Sequence, residues 1–465
     1  MAVITYPDQD NEMTDETVPE QRGWARRLAR WIARRYYPRM EIIGAERIPQ
    51  TGPVLLCANH SNSLLDAVIV GITARRPVRF MAKATLFDQP IFGTLLRSLG
   101  MLPAYRGMDD TRQVRRNLES LDVGASVLID GQAMGIFPEG MSTDRAHLEK
   151  VRSGAARMAF QALDGGAEEV RIVPIGLSYE RKESFRSAVL VRVGEPIQVA
   201  DLLAEEERNV PKARRSVTRL LEARLKAVAI HLDEPEWEPW LDDLEVLVPA
   251  TAAGVPQEPL WRRKRLADAI NYYLEHDRER AESVGSEIFA YSKNVRSAGL
   301  RVDSPVLETS RSVIAAKLFW RFLWLTLLFI PALLGTLFHL VPFVVVRALA
   351  SWMDQPGRVT TATHRLMVGV PIYLLWYAAA ALTLVAYGPS LAWLWLLLAP
   401  FAGVLSLFYW REARGAAFLL YHEVRAIIRR KELQGLRQQL AELRERLLRL
   451  SVEYTAIAPP EKTRE

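Results

Sequence analysis

The stretch VLLCANHSNSLLDAVIV, Val54 to Val70, decides how this chain is understood. An apolar run, Val54-Leu55-Leu56-Cys57, halts at Asn59-His60. Small polar residues follow, and then a lone carboxylate, Asp66, sits inside a second apolar run. A short continuous apolar run suits a buried strand, and the segment from Ser63 suits the opening of a helix. His60 and Asp66 cannot share a helix face at this separation. They meet only if the histidine lies in the loop and the acid in the first helical turn. One reading is structural: Ser63-x-x-Asp66 is a capping-box pattern, and His60 bonds a nearby carbonyl. The other makes His60 a general base whose second ring nitrogen is held by the carboxylate. The chain contains no G-x-S-x-G, so the proton removed would belong to the substrate.

Outward from this stretch, apolar runs alternate with helical segments between Met40 and about Leu225. The runs are PVLLCA, VRFMAK, GIFPE, VRIVPIGLSY and AVLVRVGEPI, and helices are expected to open near Ser63, Gln89, Asp110 and Ser153. That interleaving predicts an α/β domain, a sheet flanked by helices, over 39–229. Upstream, 1–20 is acidic and polar, which predicts a disordered tail and no cleavable secretory signal. In 21–38, Trp24, Leu28, Trp31 and Ile32 recur at helical spacing among arginines, the pattern of a basic amphipathic helix lying in a membrane interface.

Downstream, 230–312 is charged and helical and predicts a linker, while 313–412 is dense in Leu, Phe, Trp and Ala. Leu366 to Tyr387 and Leu391 to Tyr409 each have the length of a bilayer span. Basic residues at their outer ends predict a membrane hairpin that returns the chain to its starting side. Leu318 to Val346 carries Pro331 and Pro342 and is expected to dip and re-enter, with one long tilted span as the alternative. In 413–465 the leucines at 433, 436, 440, 443, 447 and 450 form an a/d seam, coiled-coil-like, that either pairs two copies in a homodimer or packs back on the linker helices.

The whole chain has 465 residues, a net charge of +6 and one cysteine, Cys57. Disulfides and cysteine cages are excluded, and the seven histidines show no ligand spacing, so no metal site is expected. The basic balance suits anionic headgroups, phosphorylated substrates or nucleic acid. Tryptophans among the N-terminal arginines and the apolar blocks favour lipid over nucleic acid. Three further clusters carry chemistry. GIFPEGMSTD puts Glu139 and Gly140 in a turn after a strand, with Ser142 following. GMLPAYRGMDD puts Arg106 just past an apolar run, where a guanidinium fork suits phosphate. RIVPIGLSYE places Pro174 inside a strand-like run.

In this order the four pieces resemble the glycerolipid acyltransferase family, over about Met40 to Val199. The resemblance implies a mixed sheet flanked by helices, His60 and Asp66 as the catalytic pair, and Arg106, Glu139, Gly140 and Ser142 at the acceptor. EKVRSGAARMAF adds Lys150 and Arg152 as phosphate ligands. Five residues separate His60 from Asp66, which is similar to the branch with large glycerol-phosphate and dihydroxyacetone-phosphate acyltransferases. The implied reaction moves an acyl chain from acyl-CoA or acyl carrier protein to glycerol 3-phosphate or 1-acylglycerol 3-phosphate, with no cofactor, in phospholipid biosynthesis. Dihydroxyacetone phosphate and other lysophospholipids are alternative acceptors, and a non-catalytic lipid-binding scaffold is the alternative role. Its expected place is the inner, cytoplasmic membrane among membrane lipids, with the soluble domain facing the cytoplasm.

Overall fold

A computed structural model describes residues 23–88, 90–104, 111–249, 251–353, 360–388 and 390–459. The expected acidic tail lies outside these residues. The chain divides into two compact units, Met1–His231 and Leu232–Glu465.

The first unit opens with α1 (Gly23–Tyr36) and runs β1 (Arg39–Ile43), β2 (Val54–Ala58), α2 (Leu64–Thr73), β3 (Val78–Lys83), α3 (Pro90–Ser98), β4 (Leu102–Ala104), α4 (Thr111–Ile129) and β5 (Ala133–Ile136). It continues with α5 (Gly154–Asp164), β6 (Arg171–Tyr179), β7 (Ala188–Val193), β8 (Ile197–Gln198), α6 (Val199–Glu205) and α7 (Val210–Val228). The strands form one mixed sheet in the order β1-β7-β6-β2-β5-β3-β4, with β8 beside β6. β2 is parallel to both β5 and β6, whereas β7 and β8 run antiparallel to β6. The four expected helices start within a residue of the predicted positions, but β1 was not anticipated.

Val54 to Cys57 are fully buried, as a central strand covered on both faces requires. One core layer joins Leu55 and Ile172 of the sheet to Leu128, Met158 and Leu221 of three covering helices. Pro174 is tolerated because the antiparallel ladder with β7 ends at Ile175↔Val193, so no N–H is needed at the preceding position on that side. Its carbonyl still accepts from Gly194 N–H at 2.8 Å. On α1, Ala25, Ala33 and Tyr36 are buried, while Trp24, Leu28 and Trp31 stand 52%, 47% and 58% exposed.

The second unit is helical: α8 (Glu238–Leu247), α9 (Pro259–His276), α10 (Arg278–Ser297), α11 (Arg311–Met353), α12 (Thr361–Tyr387), α13 (Ser390–Ile428) and α14 (Arg430–Ile457). Three of these helices, α11, α12 and α13, are long and apolar enough to cross a membrane. The expected dip in the first block is not found. α11 is continuous for 43 residues through both prolines. The second and third blocks form α12 and α13, and Phe338 of α11 meets Trp376 and Tyr377 of the one and Trp395 of the other. Arg311 meets Glu423, Arg321 meets Glu412 and Phe338 meets Trp395, so α13 runs opposite to α11. His339 bonds Tyr377 and a Cβ on Gly369 would meet Val346, so α12 packs on the C-terminal half of α11. The chain goes out along α11 and returns along α13.

The leucine seam is likewise corrected toward one of its two expectations. Leu433, Leu436, Leu440, Leu443 and Leu447 are buried within this unit, with Asn294 of α10 bonding Gln439 and Arg437 bonding the Val306 carbonyl. A homodimer through the seam would have to displace those helices, because the same apolar stripe cannot be covered twice.

Candidate active site

Parallel pairing of β2, β5 and β6 places their C-terminal ends on one sheet edge, where open α/β sheets present their ligand sites. His60 follows β2, Glu139 follows β5 and Tyr179 ends β6. His60 Nδ1 lies 2.9 Å from Asp66 Oδ2. Asp66, in the first turn of α2, is fully buried. Its Oδ2 also accepts the N–H groups of Ser61 at 2.8 Å and Asn62 at 2.7 Å, and its Oδ1 accepts the Tyr179 hydroxyl at 2.5 Å. Four donors on one carboxylate hold it as an anion without solvent. The capping-box alternative is not what forms: Ser63 makes no side-chain cap bond and sits at φ 49°.

The imidazole is clamped from its face as well. Phe137 stacks on it with ring centroids 3.9 Å apart, and Phe80 backs Phe137 at 5.8 Å. Gly135 makes room for that stack, since a Cβ there would stand 2.2 Å from the Phe80 ring. With Nδ1–H donating to Asp66, the lone pair is on Nε2. The His60 side chain is 11% exposed, so that nitrogen has limited access to a substrate.

Glu139 is 1% exposed, and its two oxygens accept His60 N–H at 2.7 Å and Glu149 N–H at 3.0 Å. Burial pushes its carboxyl up to about 7, against the two backbone donors that favour the charged form. Gly140 takes a left-handed φ of 73°, and a Cβ there would meet the Arg152 guanidinium at 3.3 Å. Lys150 and Arg152 line a cleft of about 790 Å³ together with Glu139. Ser142 is half-buried and makes no hydrogen bond among the described residues. Arg106 lies outside the described residues. No group of metal-ligating side chains occurs among the described residues.

Four residues here escaped sequence reasoning. Lys182, 9% exposed, donates to the Ser61 carbonyl at 2.9 Å and pairs with Asp144 at 2.5 Å. The side chain of Asn62 donates to Tyr37 at 2.7 Å, and Tyr37 in turn donates to the Lys182 carbonyl. Burial holds the Tyr179 hydroxyl well above its ordinary range, so it stays a donor to Asp66. No local spacing signals these contacts, because each joins segments more than 100 residues apart, except Asn62 with Tyr37 and Lys182 with Asp144. The Ser61 and Asn62 N–H groups are both turned to Asp66.

A family model described as Acyltransferase matches residues 39–178. A lyso-ornithine lipid O-acyltransferase of Pseudomonas aeruginosa is 30% identical over 222 residues, 47% of this chain and 74% of that protein. An uncharacterized acyltransferase of Schizosaccharomyces pombe is 22% identical over 74% of this chain and 66% of its own length. Glycerol-3-phosphate O-acyltransferase 1 of Saccharomyces cerevisiae is 35% identical over 102 residues, 22% of this chain and 13% of that enzyme. The match thus leaves a third of the fission-yeast relative and most of the budding-yeast enzyme without a counterpart.

Proposed function

The chain belongs to the glycerolipid acyltransferase family, and from that premise we propose that it moves a fatty acyl group from an acyl thioester to a hydroxyl of glycerol 3-phosphate or 1-acylglycerol 3-phosphate. The observation that carries this reading is the imidazole held at Nδ1 by a buried carboxylate, with Nε2 left to a substrate. His60 Nε2 takes the hydroxyl proton as the oxygen attacks the thioester carbonyl, and Asp66 stabilises the imidazolium. The intermediate collapses, the C–S bond breaks, and the departing thiolate receives the proton from His60. Glu139 fixes the His60 backbone, while Arg106, Gly140, Ser142, Lys150 and Arg152 belong to the acceptor side, the bases taking phosphate. The donor is acyl-CoA or acyl carrier protein, delivered from the cytoplasmic side of a membrane in which α11 to α13 are anchored and on which Trp24, Leu28 and Trp31 rest.

The test is thiol release from one acyl-CoA in the presence of glycerol 3-phosphate, 1-acylglycerol 3-phosphate, dihydroxyacetone phosphate or a phosphate-free lysolipid, with the product lipid weighed by mass spectrometry. Acceptor-dependent release with a phosphorylated acceptor is expected. Release with none of the four, at any donor, would remove the proposal.

A further inference from the structure

The cleft beside Glu139 has a second wall that none of the motifs above reaches. Arg214, Arg215 and Arg219 of α7 face Lys150 and Arg152 across it. The helix is fixed in rotation by Ala213, Val217, Leu221 and Leu225, all fully buried. That apolar row leaves Arg215 and Arg219, one turn apart, beside Arg214 on the cleft side. Like charges at this spacing repel each other and weaken the helix. Arg214, Arg215, Lys150 and Arg152 enter no ion pair among the described residues. Lys150, Arg152, Arg215 and Arg219 are exposed, so they offer an entering phosphate several charged donors at once. At about 790 Å³ the cleft is also larger than a three-carbon phosphate ester needs, and falls in the roughly 300–1,000 Å³ range of ligand pockets. Glu139 in its lining accepts the backbone N–H of His60 at 2.7 Å, which ties the cleft to the loop that carries His60.

We propose that Arg214, Arg215 and Arg219 form a phosphate-binding wall that holds a phosphate ester of a reacting substrate, beyond the contacts of Lys150 and Arg152. The proposal rests on the acyl-transfer reading for the identity of the substrates. The phosphate belongs either to the acceptor or to the nucleotide end of a coenzyme-type thioester donor, and the two are separated by experiment.

The test uses the full chain in detergent micelles, as wild type and as the double variant Arg214→Gln/Arg215→Gln. Both positions are at least partly exposed, and glutamine is a good helix former, so the fold is retained. KM is measured for glycerol 3-phosphate, for acyl-CoA and for the corresponding acyl-pantetheine thioester, which lacks the nucleotide. The expected result is a rise of about tenfold or more in KM for one phosphate-bearing substrate, with kcat within roughly threefold of wild type. A rise for acyl-CoA but not acyl-pantetheine assigns the wall to the donor nucleotide; a rise for glycerol 3-phosphate assigns it to the acceptor. Binding of glycerol 3-phosphate and of adenosine 3′,5′-bisphosphate by calorimetry gives a second readout that needs no turnover. If the wild type transfers no acyl group, the functional reading fails while the binding arm still judges the wall. Unchanged KM values and unchanged binding of both ligands in the double variant would overturn the proposal.

Discussion

The hydroxyl of Tyr179 donates to Asp66 Oδ1 at 2.5 Å, from the last residue of the strand beside the one that delivers His60. The Asp66 carboxylate is therefore gripped on both oxygens, and only one of its four donors is the histidine. Tyr179→Phe removes a bond to a buried anion, worth roughly 1.5–3 kcal/mol. The expected outcome is a folded protein whose kcat falls about tenfold while substrate KM values hold. Wild-type kcat in Tyr179→Phe, measured by thiol release, would show that Asp66 needs no second grip.

Glu139 gives a pH prediction whose sign follows from its environment. Burial raises its carboxyl to about 7, so the folded chain holds this proton more tightly than the unfolded chain does. Its stabilising contribution is complete below the ordinary glutamate range and is lost as pH rises through about 7. The difference in thermal midpoint between wild type and Glu139→Gln should shift against the wild type from about pH 5 to about pH 8. A difference independent of pH would contradict the raised carboxyl.

Lys182 holds the loop that carries His60, through the Ser61 carbonyl. Lys182→Met removes the donor to Ser61 and the partner of Asp144, a change expected to lower stability by about 1–3 kcal/mol. As a positioning residue it should lower kcat by about tenfold and move both KM values less than about twofold. A variant with lowered midpoint and unchanged kcat would confine Lys182 to stability.

The antiparallel course of α11 against α13 predicts that the two ends of the apolar region share one side of the membrane. In a Cys57→Ser background, Ser310→Cys and Lys431→Cys should react alike with an impermeant thiol reagent in intact cells, and Trp352→Cys oppositely. Opposite labelling of Ser310→Cys and Lys431→Cys would contradict that course.

The sequence disclosed much of this architecture because its signals were local. The apolar run into Asn59-His60 and the acid in the next helical turn marked a strand end, and the alternating runs marked the α/β class. Tyr179, Lys182 and the α7 arginines were invisible for the opposite reason: only the strand order β6-β2-β5 brings such distant segments together. Pro331 and Pro342 misled because proline breaks helices in water, whereas an apolar helix packed on neighbours absorbs the missing bond. The seam leucines showed an apolar stripe but not its partner, which the helices of the same unit supply.

The central claim is that His60 is a base held by Asp66, and the most direct measurement is acceptor-dependent thiol release by His60→Ala beside the wild type. The pair predicts a loss of at least the ~10²–10⁴-fold contributed by a general base, with the thermal midpoint nearly unchanged because His60 lies in a loop. His60→Ala turning over at a rate near wild type would contradict the account.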